Sequence, residues 1–300
     1  MFLQRTIRKR VEVSGIGLHT GKPAKLTFCP APENTGIFFV RADLPGRPAV
    51  AARADHVSAT QLATTVSCPE FSVSTIEHCL STLAAFRIDN LLIELDGPEI
   101  PIGDGSAKMF LDALMSAGMI EQGEPRKYAY INQTIYYGDS EKYAYIAPYN
   151  GLRISATIDF SHPRIGKQTL DIDINEQSFS REISSARTFG FMKDVEMLRA
   201  RGLARGGSME NAIVLDPEEI LNPEGLRFHN EFVRHKVLDA LGDLVTLGMP
   251  IMGHLVLYKA GHDLMNRLVK KIIESPDSYR TIELGADLPE SPFESQYLWA

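Results

Sequence analysis

The chain has 300 residues, 44% of them apolar and 23% charged. That is enough apolar material for a sizeable core and too much for a disordered protein. At about 150 residues per domain the length allows about two domains. The 31 basic and 38 acidic residues leave a net charge of −7, which argues against a dedicated nucleic-acid binder because such proteins carry a basic surplus. One anionic ligand in a local basic pocket remains compatible with it. Cys29, Cys68 and Cys79 are too few and too odd in number for a disulfide framework, and no CxxC pair offers a thiolate zinc site. The opening MFLQRTIRKRVEV is basic but lacks the apolar run of a secretory signal. No stretch approaches the ~18 apolar residues of a membrane span. The expectation is a soluble, reduced, cytoplasmic protein with no transmembrane segment and no obligate protein partner.

The first motif in chain order is Ser14-Gly15-Ile16-Gly17-Leu18-His19-Thr20-Gly21. It matches neither the phosphate-loop nor the dinucleotide pattern, so by itself it means a tight turn. Ala24 to Phe28 alternates like a strand. Ser74 to Phe86 has helical spacing, and Ser74-Thr75-Ile76-Glu77 fits a capping box in which Glu77 reaches back to the Ser74 amide. The other reading of Glu77-His78 is a metal-ligating imidazole beside a carboxylate base. On those four residues alone the cap is the stronger reading. Asn90 to Leu95 predicts a buried strand and Met109 to Met119 a helix. The polar stretch Glu121 to Arg126 predicts a linker, dividing the chain into residues 1–125 and 126–300.

The second half opens with strand patterns at Tyr128 to Ile131 and Leu152 to Phe160. Phe191, Val195 and Leu198 then recur at i, i+4 and i+7, opposite Lys193, Asp194 and Arg201. This is a short amphipathic helix of the kind that most often packs on its own domain. Gly202, Gly206 and Gly207 loosen the chain before a strand pattern at Ala212 to Leu215. Phe228 to Leu247 reads as a helix ended by Gly248 and Pro250. On it, His235, Asp239 and Asp243 stand one turn apart on one face, with Val237, Leu241 and Leu244 on the other side. A solvated polar face accounts for the pattern; so do two ligands on one metal, with residue types that suit zinc. The absence of HExxH excludes a thermolysin-like arrangement. After the strand pattern His254 to Tyr258 comes Gly261-His262-Asp263. A turn at Gly261 and a cap at Asp263 would leave His262 incidental. Alternatively His262, in a loop at a strand end, is a catalytic acid, and Lys259 holds a phosphate. Strands followed by helix then strand in both halves suggest two α+β domains of similar build.

Seven segments, taken in order, resemble one family: the UDP-3-O-acyl-N-acetylglucosamine deacetylases, zinc amidases of lipid A synthesis in Gram-negative bacteria. They are SGIGLHTG at 14–21, STIEHCLSTL at 74–83, DNLLIELDGPEIPIGDGSA at 89–107, ARTFGFM at 186–192, RGLARGGSMENAIV at 201–214, LRFHNEFVRHKVLDALGDL at 226–244 and YKAGHDLMN at 258–266. The resemblance implies an α+β fold of two similar β-α-α-β layered domains with the active site at their interface. It implies one catalytic Zn2+ per chain on His78, His235 and Asp239. Glu77 would be the base, His262 the acid and Asp243 the group that orients it, while Lys236 and Thr188 would stabilise the oxyanion. An insert near 188–215 would form a passage for the substrate's acyl chain. Phe191, Met192, Val195, Leu198 and Ala212 are its candidate walls, Gly207 lets the chain run close to the backbone, and Leu18 and Phe189 join the substrate site. Phe160 and Lys259 would contact the nucleotide half.

The implied reaction is hydrolysis of the N-acetyl amide of UDP-3-O-(3-hydroxyacyl)-N-acetylglucosamine, a linear amide C–N bond, giving acetate and a free amine without a covalent intermediate. Two other functions are set against it. A zinc hydrolase for another acetylated sugar or amide would not need the acyl-passage segment. A non-catalytic binding protein would not need the intact set Glu77, His78, His235, Asp239 and His262.

Overall fold

The computed structural model describes residues 2–284; residues 285–300, the end of the second predicted domain, lie outside the described residues. The alternating segments near the N-terminus form a five-stranded sheet in the order Val11–Ile16, Pro23–Pro30, Leu91–Leu95, Ile37–Arg41, Ala49–Ala51. Its central strand, LLIEL, runs antiparallel to Pro23–Pro30 and parallel to Ile37–Arg41. The second half builds the same pattern from Ile135–Gly138, Tyr143–Ala147, Ile251–Tyr258, Leu152–Asp159 and Lys167–Asp173. Again the central strand is antiparallel to one neighbour and parallel to the other. In both sheets the late-coming strand enters the middle, and a parallel pair needs a long crossover. The first crossover contains the helix Glu77–Ala85, and the second contains the helix Glu231–Leu244 among others. The internal similarity read from the order of helix and strand is therefore present in strand order and direction. Lys127–Ile131 and Tyr279–Glu283 extend the second sheet to seven strands.

The helices are α1 (Glu77–Ala85), α2 (Lys108–Ala117), α3 (Glu176–Ser178), α4 (Met192–Ala200), α5 (Glu231–Leu244) and α6 (His262–Ile273). The α2 helix lies against Val11–Ile16 of the first sheet. The α5 and α6 helices lie against strands of the second, and α1 packs on α5. The layers thus run sheet, helices, helices, sheet, and the α+β class expected from the sequence holds. One hydrophobic cluster joins them, with Leu26, Phe39 and Ile93 from the first sheet, Leu80 and Phe110 from its helices, and Val237, Ile154 and Leu255 from the second half. All three cysteines are free. Among the described residues no helix is long and apolar enough to cross a membrane.

Two expectations change here. The polar stretch 121–126 is no free linker. Met119–Pro125 is a strand antiparallel to Leu3–Ile7, which satisfies its backbone while Glu121 and Glu124 face water and Gln122 bonds Asn90 and the Ala31 carbonyl. Arg126 is buried, its Nε 2.8 Å from Asp89 Oδ1. Nor is α5 amphipathic in the ordinary sense: every residue except Lys236 is buried. It lies between α1 and the second sheet, so the His235–Asp239–Asp243 face meets protein and not solvent.

The α1–α5 contact is close because position 242 is glycine. A Cβ there would overlap the carbonyl oxygen of Glu77. Gly242→Ala is expected to force the helices apart at a cost of about 1–3 kcal/mol. Thermal denaturation checks it as a lowered Tm, accompanied by a fall in metal content because His78 rides on α1.

Candidate metal centre and active site

The chain turns sharply before α1. Thr75 has φ 63°, a left-handed conformation that a β-branched residue adopts only under constraint. This turn overrides the capping box. The helix begins at Glu77 with Ile76 at the cap position and no side-chain cap, and the Ser74 hydroxyl sits 3.5 Å from the Pro98 carbonyl oxygen. Glu77 instead points inward, 2% exposed, and its Oε2 accepts the Thr64 amide at 3.0 Å. Burial pushes its carboxyl above the usual carboxylate range, against the pull of His262 and His78.

The next residue, His78, faces α5. Its ring meets that of His235 edge-on at 4.9 Å between centroids. Asp239 Oδ1 lies 3.6 Å from His78 Nε2 and 3.3 Å from His235 Nε2. All three side chains are buried, and one ligand atom from each lies within 4.8 Å of the others. Asp239 Oδ1 has no hydrogen-bond partner among the described residues, an expensive condition for a buried carboxylate oxygen. A divalent ion would relieve it: ligands about 2.0–2.1 Å from a tetrahedral ion stand roughly 3.3–3.4 Å apart. Protonation suits the same role. Burial above all pushes His235 down to about 3, so its ring is neutral. Its Nδ1 donates to the Ala186 carbonyl at 3.0 Å, which leaves the Nε2 lone pair toward Asp239. Burial works against the Asp239 charge, yet the carboxyl is held well below the usual range, with Lys236 the charged partner at its side. Lys236 Nζ donates to Asp239 Oδ2 at 2.6 Å.

On the other side of Glu77 stands His262. Its Nδ1 is 2.8 Å from Asp243 Oδ2, and its Nε2 is 3.9 Å from Glu77 Oε1. Burial opposes its charge, yet Asp243 prevails by Coulomb attraction and hydrogen bonding and raises the ring to about 10. His262 is thus an imidazolium at neutral pH. The cap expected from Asp263 does not form. Gly261 holds the cap position without side-chain help, and Asp263 pairs with Arg267 at 2.8 Å. With the helix start uncapped, His262 is free to turn toward Asp243.

The structure thus brings Glu77, His78, His235, Lys236, Asp239, Asp243 and His262 into one cluster. The other expected residues surround it at varying distance. Thr188 follows the Ala186 carbonyl by two residues, and its amide donates to Gly105 O at 2.8 Å. The Phe189 ring stands 6.4 Å from His235 and lies under Lys236 Nζ at 5.6 Å. Phe160, Phe189 and Phe191 form an aromatic trio, with centroids 5.6 to 6.5 Å apart. Lys259 Nζ is paired with Asp159 at 3.0 Å. Met192, Val195 and Leu198 lie on α4, none of whose residues is fully buried: Met192 is exposed, Val195 and Leu198 are half-buried, and the helix lies against the strand Phe189–Phe191. Ala212 precedes the strand Ile213–Leu215, which pairs in parallel with Phe189–Phe191. Leu18 touches the insert: its carbonyl accepts the Gly206 amide at 3.0 Å, and Gly207 lies beside its side chain.

Two residues of this architecture had no signal in the sequence. Thr64 lies in a loop, yet its amide holds Glu77 and its hydroxyl donates to Asp243 Oδ1 at 2.6 Å. Glu99, 2% exposed, accepts from the His19 amide (2.7 Å), the Thr20 amide (2.8 Å), the Thr20 hydroxyl (2.7 Å) and the Thr75 hydroxyl (3.2 Å). The glycine-rich loop is therefore anchored on a carboxylate, and Gly17 fits there because a Cβ would strike Glu99.

A His–His–Asp metal-binding group, flanked by a buried carboxylate and a carboxylate-held imidazolium between the layers of an α+β sandwich, defines a candidate metal-dependent hydrolytic centre. Comparison with known proteins agrees. Residues 4–274 match the family model described as LpxC, UDP-3-O-acyl N-acetylglycosamine deacetylase. A protein of that activity's name from Bdellovibrio bacteriovorus is 64% identical over 290 residues, covering 97% of this chain and 96% of its own. One from Myxococcus xanthus is 49% identical, with 93% and 89% covered, and one from Shewanella baltica 46%, with 97% of each. The chain belongs to the UDP-3-O-acyl-N-acetylglucosamine deacetylase family.

Asp239→Ala removes one of three ligand atoms and is expected to lower bound divalent metal well below one equivalent per chain. Elemental analysis of the purified variant reads this directly; full metal retention would return Asp239 to a structural role.

Proposed function

We propose that the protein is a zinc-dependent deacetylase that removes the N-acetyl group from a UDP-3-O-(3-hydroxyacyl)-N-acetylglucosamine in lipid A biosynthesis, acting in the cytoplasm. The observation that carries the reading is the unpartnered Asp239 Oδ1 between two imidazole nitrogens, with Glu77 and His262 at its side. His78, His235 and Asp239 would hold the ion. Zinc bound there would lower the pKa of a water toward ~7 and polarise the amide carbonyl.

The chain's own residues do the rest. Glu77, buried and raised in pKa, takes the proton of the attacking water. Lys236 and Thr188 stabilise the charge that develops on the carbonyl oxygen. His262 holds a proton on Nε2, on the ring edge opposite its Asp243 bond, and delivers it to the leaving amine. Asp243, itself fixed by Thr64, sets the ring's orientation. Glu77 and His262 face one another, one as base and one as acid: burial is the main force raising the Glu77 carboxyl, while on His262 the Asp243 carboxylate overcomes burial and keeps the ring charged.

The half-exposed α4 presents apolar side chains beside the strand that carries Phe189, which favours the acyl-passage role for Phe191, Met192, Val195, Leu198, Gly207 and Ala212, with Leu18 beside Gly207. A chain there would bury methylenes at about 0.8 kcal/mol each. Phe160 and Lys259, near the ends of adjacent parallel strands, are assigned to the nucleotide half. We place the division between the two similar domains at residues 125 and 126, where the strand paired with Leu3–Ile7 hands over to the second sheet.

The direct test is amine release from the acylated UDP-sugar. Glu77→Ala is expected to keep its metal and lose activity by roughly 10²–10⁴-fold; an unaltered rate would remove Glu77 from the chemistry. The pH profile tests His262. Asp243 raises the proton affinity of His262, so Asp243→Asn lowers it. The basic limb of kcat is therefore expected to move to lower pH in Asp243→Asn and to vanish in His262→Ala. A basic limb that stays in place in both variants would refute the acid assignment.

A further inference from the structure

The residue between Ala186 and Thr188 has no role so far, yet it is among the most deeply buried side chains in the molecule. Arg187 is 2% exposed and Glu231 is 0% exposed. Arg187 Nε donates to Glu231 Oε1 at 2.9 Å, and the Arg187 backbone amide donates to the same oxygen at 3.0 Å. One terminal nitrogen reaches Glu231 Oε2 at 3.2 Å and the Gly225 carbonyl at 2.7 Å, and the other reaches Glu224 Oε1 at 2.6 Å. Glu231 Oε2 also accepts the Arg227 amide at 2.6 Å.

The location gives this pair its meaning. Glu231 opens α5 and lies one turn before His235, on the same face. The segment 186–188 runs along that face. Its Ala186 carbonyl accepts the Nδ1 proton of His235, and its Arg187 side chain and amide grip Glu231. Without that grip, the Ala186 bond would be the one remaining hydrogen bond between the segment and this face of α5 among the described residues. A carbonyl that fixes the tautomer and ring orientation of a ligating histidine governs the affinity of the site. The same segment continues directly into Thr188.

We infer that Arg187 and Glu231 are positioning residues of the metal centre. Their buried pair holds the Ala186 carbonyl against His235, and so sets metal retention, and holds Thr188 beside the reacting carbonyl. The inference rests on the assignment of His235 as a ligand. An arginine fork suits the site because three separate guanidinium nitrogens reach both oxygens of Glu231, Glu224 and the Gly225 carbonyl, a spread that one ammonium nitrogen does not span.

Removing Arg187 alone would strand a buried carboxylate and unfold the protein. The test therefore uses Arg187→Lys, which keeps the charge but not the fork, and Arg187→Met with Glu231→Gln, which removes both charges. Each purified zinc protein is mixed with a chromogenic chelator, and zinc release is timed alongside Tm, kcat and KM. Both variants are expected to release zinc roughly 10–100-fold faster and to lose kcat with KM little changed, while the charge-free pair regains most of its Tm. Wild-type zinc release and kcat in Arg187→Lys would overturn the inference, whether or not the double variant folds. So would joint recovery of Tm, zinc release and kcat in the double variant, which would mark the pair as structural only. Asp239→Ala serves as the reference. If it too retains zinc at the wild-type rate, the ligand assignment falls and takes this inference with it. If it loses zinc while the Arg187 variants do not, only this inference falls.

Discussion

Everything at the centre of this molecule depends on how closely α1 can approach α5. The backbone of Glu77 lies against Gly242, and no larger residue fits between them. That contact places Glu77 and His78 from one half opposite His235, Asp239 and Asp243 from the other. The two helices are the crossovers of two sheets with the same strand order, so each half supplies one wall. Neither wall is a site alone. His78 lacks a second ligand without α5, and Asp243 is linked to Glu77 through Thr64, from the first half, and through His262, from the second.

The second constraint is electrostatic. Three carboxylates, Glu77, Asp239 and Asp243, are each at most 5% exposed, in a protein whose overall charge is already negative. Buried charges are tolerated when paired and hydrogen-bonded. Asp243 meets this condition through Thr64 and His262, and Asp239 meets it in part through Lys236. The remaining Asp239 oxygen and the raised Glu77 carboxyl are the points where the balance is incomplete. They coincide with the ligand and base positions of the proposed reaction. Burial disfavours the charge on both His235 and His262, and their different partners set their opposite states. His235 is neutral because burial outweighs Asp239 and the Ala186 carbonyl, both of which favour its charged form; His262 is charged because Asp243, hydrogen-bonded to its Nδ1, outweighs burial.

Around this core the insert is held by backbone contacts as well as by the buried Ile213 and Leu215. The glycine-rich loop hangs on Glu99, and through the carbonyls of Leu18 and His19 it carries the amides of Gly206 and Arg205. The same carboxylate binds Thr75, whose left-handed turn sets the start of α1. A single buried glutamate therefore connects the floor of the insert to the residue pair Glu77-His78.

Much of this was determined by the sequence itself. The helices bearing His78 and His235, the central strands after them and the one-turn spacing of His235, Asp239 and Asp243 follow from local periodicity, which depends on near neighbours in the chain. The ordered motifs placed every member of the central cluster. Tertiary structure decided what local pattern could not. Ser74 and Glu77 satisfy the capping-box pattern, but the strained Thr75 turn and the Thr64 amide take Glu77 away from it. His235, Asp239 and Asp243 look like a solvated stripe until α1 covers them. Residues 121–126 look like a linker until Leu3–Ile7, more than a hundred positions earlier, pairs with them. Thr64, Glu99 and the Arg187–Glu231 pair were invisible for the same reason. Their partners are distant in sequence, and a buried hydrogen bond leaves no periodic trace in either strand of chain that makes it.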